Sequence, residues 1–196
     1  MSLVTLVSGG LDSTLIAVLA KEEGISQLPI FVDYGQICKD REWEACKQVH
    51  KDLDLPQPLV MNLSGFGKLI SSGLTDPKLD VYKDAFLPGR NLLFLLAGSA
   101  YAYQNNCSAV AIGLLSDESS IFPDQTEEFV KYSQIVINTA MGREIRIIAP
   151  LMNFTKSDVI ELARSKRIRG TYSCHAGTAE PCGECVSCIE RLNAMH

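Results

Sequence analysis

The sequence predicts an α/β fold in which a parallel, doubly wound, five-stranded sheet carries a small C-terminal metal-binding tail. Three observations support this: short apolar runs alternate with longer helical stretches, a glycine-rich turn follows the first run, and cysteines crowd near the C-terminus. With 196 residues, of which 46% are hydrophobic, the chain can form one domain and an appendage. We place the boundary between a main domain, 1–169, and a tail, 170–196.

Five short apolar segments, several of them rich in Val and Ile, are the predicted buried parallel strands. They are Leu3–Val7, Gln27–Asp33, Pro58–Leu63, Ala109–Gly113 and Ile145–Ile148. The predicted helices are Asp12–Glu23, Asp40–Leu53, Asn91–Asn105, Glu127–Met141, Thr155–Arg167 and Val186–Met195. Helix Asn91–Asn105 is apolar nearly all round, so we expect it to be buried. Thr155 with Asp158 three residues later predicts a capping box.

One segment interrupts the alternation of strands and helices. Ser64–Arg90 is rich in Ser, Gly, Pro and Asp, and it is too long for an idle connection. Loops of this length are usually functional or mobile, so we expect one of the two here.

Charge and hydropathy exclude several classes of protein. The net charge of −5 gives no electrostatic footprint for nonspecific nucleic-acid binding. The longest apolar stretch, Leu92–Tyr103, is shorter than the roughly 20 residues that a bilayer requires. Met1 and Ser2 lead directly into a predicted strand with no basic segment before it, so we expect a cytoplasmic protein without an export signal. In that compartment the seven cysteines serve as metal ligands or buried thiols rather than as disulfides.

The glycine-rich turn has the composition of a phosphate-binding loop. It reads S-G-G-L-D-S-T over Ser8–Thr14, between the first strand and the first helix. Glycines let the backbone approach phosphate oxygens, and the helix N-terminus offers free N–H groups with a partial positive charge. Asp12 would repel phosphate unless it holds Mg²⁺ or caps the helix. The loop lacks both the G-K-[ST] end of a Walker loop and the G-x-G-x-x-G pattern of a dinucleotide fold.

Four cysteines near the C-terminus have the spacing of a metal knuckle. They are Cys174, Cys182, Cys185 and Cys188, with Gly183 between the second and the third. Four soft ligands suit tetrahedral Zn²⁺, which would hold together a tail too small for its own core. Iron–sulfur ligation and unligated thiols remain as alternatives. His175 adjoins Cys174 and could replace one of the four ligands.

The loop and the knuckle together resemble one family. The S-G-G-x-D-S signature is that of the PP-loop ATP pyrophosphatases, and its combination with the knuckle resembles the QueC (ExsB) family of 7-cyano-7-deazaguanine (preQ0) synthases. Further blocks that resemble the family are Val32–Gln36, Leu87–Asn91, Tyr101–Tyr103, Gly113–Leu114 with Asp117, Phe122–Asp124, Pro150–Met152 with Lys156, and Cys182–Arg191. The resemblance runs from about residue 3 to residue 195.

The resemblance implies that ATP activates 7-carboxy-7-deazaguanine, that ammonia forms the amide, and that a second ATP drives dehydration to the nitrile. It implies ATP, Mg²⁺ and Zn²⁺ as cofactors and a homodimer. The implied catalytic residues are Asp12, Arg90 and Lys156. The implied nucleotide-binding residues are Val7, Ser8, Gly9, Gly10, Leu11, Asp12, Ser13, Thr14, Asp33 and Gly113. The implied substrate-binding residues are Tyr34, Arg90, Asn91, Asp117, Phe122 and Asp124.

Each of these residues also has a purely structural interpretation. Arg90 could form a surface salt bridge and Lys156 could be solvated. Asp117 and Asp124 could cap helices, while Phe122 could be a core aromatic residue.

The chain departs from the family pattern near the implied substrate pocket. Ser120 and Ile121 replace a glycine, Gln125 replaces the cysteine of Y-P-D-C, and 37–42 lacks the family's histidine. Three other functions therefore stay open. They are a QueC-like paralogue that stops at the amide or joins the acid to another amine, a different PP-loop enzyme such as a tRNA thiolase, and a nucleotide-binding module without catalysis. The net charge disfavours the thiolase.

Overall fold

A parallel sheet forms the centre of the computed structural model, which describes residues 2–116 and 120–194. The strands are β1 Ser2–Val7, β2 Ser26–Asp33, β3 Leu59–Asn62, β4 Ala109–Ala111 and β5 Arg146–Ile148. The helices are α1 Leu11–Glu22, α2 Lys39–Asp52, α3 Gly65–Leu69, α4 Arg90–Gln104, α5 Glu127–Met141, α6 Lys156–Ser165 and α7 Val186–Asn193. The five strands pair in parallel in the order β3-β2-β1-β4-β5, as predicted.

The strand order places a crevice above the middle of the sheet. The chain builds outward from β1 to β3 and then crosses to β4 on the other side of β1. Connections leave β1 and β4 toward opposite faces, so the sheet opens at their carboxyl ends, where α/β proteins bind ligands. The glycine-rich turn lies at this point, directly after β1.

Both faces of the sheet are covered, which confirms the doubly wound architecture. On one face Val4 and Val110 pack with Leu95 of α4 and Ile137 of α5. On the other face Leu3 packs with α1 and α6. Successive side chains of β1 therefore enter opposite cores, as expected for a strand that is buried on both sides.

The predicted elements are present, and the bounds of the described ones differ from the prediction by no more than two residues. The predicted capping box is also present: Thr155 Oγ1 accepts from the Asp158 N–H at 3.3 Å. In return, the Asp158 carboxylate accepts from the Thr155 N–H at 2.8 Å. The end of the last predicted helix, Met195, lies outside the described residues.

Two burial predictions are wrong. Helix α4 is not buried all round, because its buried positions recur at three- to four-residue spacing and leave Leu92, Leu96 and Tyr103 exposed on the outer side. The strand β3 is an edge strand with Leu59 and Val60 largely exposed, because it pairs only with β2. Apolar composition alone does not separate a buried face from an exposed one.

The long segment before α4 folds against the sheet. It contains α3, and its side chains Leu74, Ala85 and Leu87 are buried in the same core as Val4 and Ile30. These anchors carry the segment to the crevice at the carboxyl edge of the sheet. No helix among residues 2–116 and 120–194 is both long and apolar enough to cross a membrane.

Candidate active site

The glycine-rich turn is held by hydrogen bonds among its own residues. The Ser8 N–H donates to Ser13 Oγ at 3.1 Å, and the Gly10 N–H donates to Ser8 Oγ at 3.3 Å. Gly10 is the N-cap of α1 and has no capping side chain, so the N–H groups of the first helical turn stay open. This arrangement suits an anion at the helix N-terminus.

Gly9 lies where no side chain can fit. Its φ is +79°, and a Cβ there would lie 2.5 Å from the Glu42 carbonyl oxygen and 2.8 Å from the Cys46 nitrogen of α2. Its own carbonyl accepts from the Tyr172 N–H at 2.9 Å. The turn is therefore clamped between α2 and the segment that leads into the cysteine cluster, so the tail supports the turn directly.

An ion pair closes the loop from the side of α6. Lys156 Nζ lies 2.8 Å from both carboxylate oxygens of Asp12, and both side chains are largely shielded from solvent. Lys156 begins α6, and the capping box of Thr155 fixes that start. The ammonium and the carboxylate thus face each other beside the open N–H groups of α1, where they could separate toward phosphate and Mg²⁺.

Two cavities meet at this loop. The larger, about 450 Å³, reaches from Ser8 and Asp12 to the tail and to the segment before α5. The smaller, about 200 Å³, lies above the strand ends and is lined by Val7, Phe31, Val32, Tyr34 and Gly113, among others. Ser8, Asp12, Glu42, Arg90 and His175 line both.

Positive charge is concentrated around the larger cavity. Its cationic lining residues are Arg90, Lys156, Arg164, Arg169 and Arg191. Its acidic lining residues are Asp12, Glu42 and Glu190. Cations therefore outnumber acids here although the chain carries a net charge of −5, and such a cavity favours an anionic ligand.

Arg90 holds its position between the two cavities through Tyr34. Its guanidinium lies 5.8 Å from the centre of the Tyr34 ring, a cation–π distance. Burial raises the pKa of Tyr34 well above its ordinary value, and the nearby Arg90 charge opposes part of that rise. Arg90 forms no salt bridge within residues 2–116 and 120–194, and it lines both cavities.

Two residues shared by the cavities were not predicted as part of this site: Glu42 was not predicted to have any function, and His175 was predicted only as an alternative metal ligand. Glu42 is buried on α2 and accepts from Gln36 Nε2 at 3.1 Å, and burial raises its pKa. His175 has a buried Nδ1 without a hydrogen-bond partner among the described residues. Burial, together with the charges of Arg90 and Lys156, lowers the pKa of His175 to about 4, so its ring is neutral near pH 7.

A signal for both residues exists in the sequence. Glu42 lies at helical spacing with Cys46, Val49 and His50, which form the buried face of α2, and an acid on a buried face indicates a special site. His175 directly follows a cysteine of the knuckle.

Several predicted residues serve the scaffold in this structure. Thr14 Oγ1 donates to the Gly10 carbonyl at 2.8 Å, and Asp33 Oδ1 accepts from the Gly35 N–H at 3.0 Å. Asn91 and Asp124 bond to each other: the Asn91 N–H donates to Asp124 Oδ2 at 3.3 Å and Asn91 Nδ2 to the Asp124 carbonyl at 2.9 Å. Direct ligand contacts of these residues stay predictions, and Asp117 lies outside the described residues.

One wall of the larger cavity is apolar and aromatic. This aromatic wall consists of Leu74, Ala85, Phe122 and Gln125. The Phe122 ring lies 5.3 Å from the Phe86 ring, centre to centre, and it also packs against the core. The structural interpretation of Phe122 is therefore confirmed, and because the ring also borders the cavity, its contact with a substrate stays a prediction. We call a second set of its lining residues, Ser8, Gly10, Asp12 and Lys156, the loop wall.

The four predicted cysteines converge on one point. Their sulfur atoms all lie within 4.8 Å of one another, and Cys182 and Cys188 are 3.9 Å apart. Four sulfurs at about 2.3 Å from a single tetrahedral ion lie at about this mutual spacing, whereas thiolates on different irons of a cluster spread further. His175 is not part of the group.

The protein environment makes one of these thiols acidic. Burial raises the pKa of Cys174, but its hydrogen bonds with the Thr178 hydroxyl and the Cys182 N–H outweigh burial and bring the pKa to about 6. A thiolate at neutral pH is the form that binds metal. The cluster therefore could hold a metal ion such as zinc.

Solved structures with this fold define the class of protein. The chain is similar to a U34-tRNA thiolase from Methanococcus maripaludis, with a TM-score of 0.57 and 15% identity, covering 99% of this chain and 64% of that one. It is also similar to an NMN synthetase from Francisella tularensis, with a TM-score of 0.56 and 15% identity, covering 93% and 70%. At these identities the likeness concerns the fold alone. Together with the loop, it assigns the α/β fold of this chain to the PP-loop class.

Within that class the chain belongs to the QueC family. The family model described as "Queuosine biosynthesis protein QueC" matches residues 2–196. A 7-cyano-7-deazaguanine synthase of Campylobacter jejuni subsp. jejuni is 33% identical over 97% of this chain and 91% of its own length. The 7-cyano-7-deazaguanine synthase of Nautilia profundicola is also 33% identical, over 98% and 92%. The family is one of enzymes.

Proposed function

We propose that this protein is a 7-cyano-7-deazaguanine synthase that converts 7-carboxy-7-deazaguanine, ammonia and ATP into the nitrile. The observation that carries the proposal is the cationic cavity that joins the loop wall to the aromatic wall. It offers an anion site, an acid for Mg²⁺ and a flat apolar surface for a base within one space. Family membership supports the same substrate.

The first step makes a poor electrophile reactive. The substrate carboxylate attacks the α-phosphorus of ATP, an acyl adenylate forms and pyrophosphate leaves. The open N–H groups of α1 and the Lys156 ammonium counter the phosphate charge, while Asp12 would hold the Mg²⁺ that accompanies ATP. On nucleotide binding, the Asp12–Lys156 pair would therefore exchange its internal contact for phosphate and cation.

The next steps repeat the same activation. Ammonia adds to the acyl carbon and AMP leaves, which yields the amide and a proton. A second ATP adenylates the amide oxygen with loss of pyrophosphate, and elimination of AMP from that intermediate leaves the nitrile. Arg90, at the junction of both cavities, counters the charge of the acid and of the AMP leaving group. The enclosed site limits hydrolysis of the adenylate by water.

The adenine of ATP fits the smaller cavity. Phe31, Val32 and Tyr34 follow β2 there, and Gly113 lies after β4 with its Cα hydrogens toward Asp12 and Ser13. Apolar side chains at the strand ends, with a glycine beside them and polar groups elsewhere in the lining, suit a flat ring that also carries polar edges. We propose Zn²⁺ for the four cysteines, where it would hold the tail against the loop through Tyr172.

We also propose that the enzyme is a homodimer through α4 and α5. These helices pack against each other and expose Leu92, Leu96, Tyr132, Ile135 and Val136. Two copies that each carry a charge of −5 repel unless they meet on an uncharged face, which these residues supply. Light scattering of Val136→Glu should give a monomer where the original protein gives a dimer; a monomeric original protein would overturn the assignment.

A mass-resolved assay tests the function. The protein is incubated with Mg-ATP, ammonium and 7-carboxy-7-deazaguanine, and both AMP and the base are followed. We expect two AMP per nitrile. An amide as the end product would favour a QueC-like paralogue. The departures from the family pattern at Ser120, Ile121 and Gln125 would then be associated with that change of product. If no AMP forms with this acid, the substrate assignment is wrong.

A further inference from the structure

The carboxamide of Gln125 has an orientation that the backbone fixes. Its Oε1 accepts from the Ile121 N–H and from the Phe122 N–H, both at 2.9 Å. A backbone N–H can only donate, so the atom that faces the two groups is the oxygen. The Nε2 group therefore carries the side chain's two donor hydrogens, and it has no partner among the described residues.

This donor belongs to the aromatic wall of the larger cavity. Gln125 lines the cavity together with Phe122, Leu74 and Ala85. The rest of this wall is apolar, so Gln125 is the group in it that can read the polar edge of a flat ligand. Its position is stable, because Ser120 Oγ also donates to the Gln125 carbonyl at 3.2 Å.

Gln125 is also tethered to Arg90. Asn91, the next residue after Arg90, donates to Asp124, the residue before Gln125, through both its backbone N–H and its side chain. The backbone segments that carry Arg90 and Gln125 are thus bonded to each other, and both residues line the same cavity, one with a guanidinium and one with a fixed amide donor. In 7-carboxy-7-deazaguanine the lactam oxygen lies next to the carboxylate on the same edge of the ring, which is a matching pair of acceptors.

We propose that Gln125 is a specificity-determining residue that donates from Nε2 to the lactam oxygen of the base while Arg90 binds the adjacent carboxylate. This inference rests on the proposed function. A guanine-type ring presents an acceptor at that position, whereas an adenine-type ring presents an amino group, which would place two donors against each other. Leaving the Nε2 donor unpaired weakens binding, so the wall rejects the amino ring.

The test compares two ligands on two proteins. The ligands are 7-carboxy-7-deazaguanine and its analogue with an amino group in place of the lactam oxygen, and binding is measured by calorimetry without turnover. The original protein should bind the lactam form at least about tenfold more tightly. Gln125→Glu keeps one oxygen for the Ile121 and Phe122 N–H groups and turns the other atom from donor to acceptor. It should lower that ratio by about tenfold or more.

The ratio is the readout because the added negative charge weakens both acids alike. Unchanged affinity for an ATP analogue verifies that the variant is folded. If the original protein binds the lactam acid but Gln125→Glu leaves the ratio within about twofold, the inference is wrong and the proposed function stands. If the original protein binds neither acid, the proposed substrate is wrong and the inference falls with it.

Discussion

The loop wall and the aromatic wall of the same cavity are built from different parts of the chain. The loop wall depends on backbone geometry: the left-handed Gly9, the open N–H groups of α1 and one ion pair. The aromatic wall depends on side chains that reach the cavity from distant segments, Leu74 and Ala85 from one and Phe122 and Gln125 from another. Groups that bind phosphate need backbone N–H donors, whereas groups that distinguish one base from another need side-chain edges.

This contrast indicates which of the two walls tolerates sequence variation. A backbone-built wall fails when the backbone moves, so its residues match the family pattern closely. A side-chain-built wall can change its chemistry without moving, and the departures at Ser120, Ile121 and Gln125 all lie beside it. We therefore expect substitutions in the loop wall to abolish nucleotide binding and substitutions in the aromatic wall to change only base affinity.

The largest effect should come from Gly9→Ala. A Cβ in the left-handed conformation, overlapping the Glu42 oxygen and the Cys46 nitrogen, should cost about 3 kcal/mol of unfolding free energy or displace the loop. ATP binding, measured by calorimetry, should be lost. Gly142→Ala is the control, because Gly142 has a φ of +62° with no atom near its Cβ position and should cost only about 1 kcal/mol.

If Gly9→Ala binds ATP as tightly as Gly142→Ala does, then the close packing of α2 against the loop is not required for ATP binding. That outcome would contradict the claim that the loop wall, unlike the aromatic wall, depends on backbone geometry.

Removal of the proposed Zn²⁺ should damage the loop wall more than the aromatic wall. The cysteine cluster holds the segment whose Tyr172 N–H donates to the Gly9 carbonyl, so its loss should release the turn. A chelator should lower the melting temperature and weaken ATP binding by about tenfold or more, with little change in affinity for the base. Metal content and hydrogen exchange at Tyr172 report the cause independently of activity.

Cys188→Ser should reproduce the effect of the chelator. Cys107→Ser is the matched control, since Cys107 is a buried cysteine outside the cluster. Equal losses of ATP affinity in both variants would show that the effect is general destabilisation and not the release of Tyr172.

Lys156→Gln should lower the rate of AMP formation by about 100-fold, because a charge beside the phosphates is replaced by a neutral donor. It should leave the affinity for the base nearly unchanged. Lys166→Gln is the control: this residue lies at the other end of α6 and pairs with Glu22 at 2.6 Å, and it lines neither cavity. Surface pairs of that kind contribute about 0–1 kcal/mol to folding, so its activity should be retained. Retained AMP formation in Lys156→Gln would refute the assigned role.

The sequence predicted the loop wall and the metal knuckle far better than the aromatic wall. Glycines in a turn, a helix start and regularly spaced cysteines act through local geometry, and local geometry is what sequence spacing encodes. The contact of Tyr172 with Gly9 joins positions far apart in the chain, and nothing in either segment signals it. The same holds for Leu74 and Ala85, which a long irregular segment brings to the cavity.

The exposed apolar side of α4 illustrates a second reason why the sequence alone predicts only part of the structure. Leu92, Leu95 and Leu96 are all leucines, but of the three only Leu95 is buried against the sheet. When a helix carries apolar residues all round, the periodicity of its sequence does not indicate which face is buried. The proposed interface with a second copy would account for the side chains on its outer face, and an interface lies beyond what one chain's periodicity encodes.

The smallest effect should come from Phe122→Leu. The ring borders the cavity, so its loss should raise the KM for the base about fivefold through lost stacking, without changing the KM for ATP. Phe86→Leu is the control, because it breaks the same ring pair from the side that does not line the cavity. If both variants change the KM for the base equally, Phe122 acts only through its packing with Phe86. A change in the KM for ATP instead would mean that the two walls do not act separately.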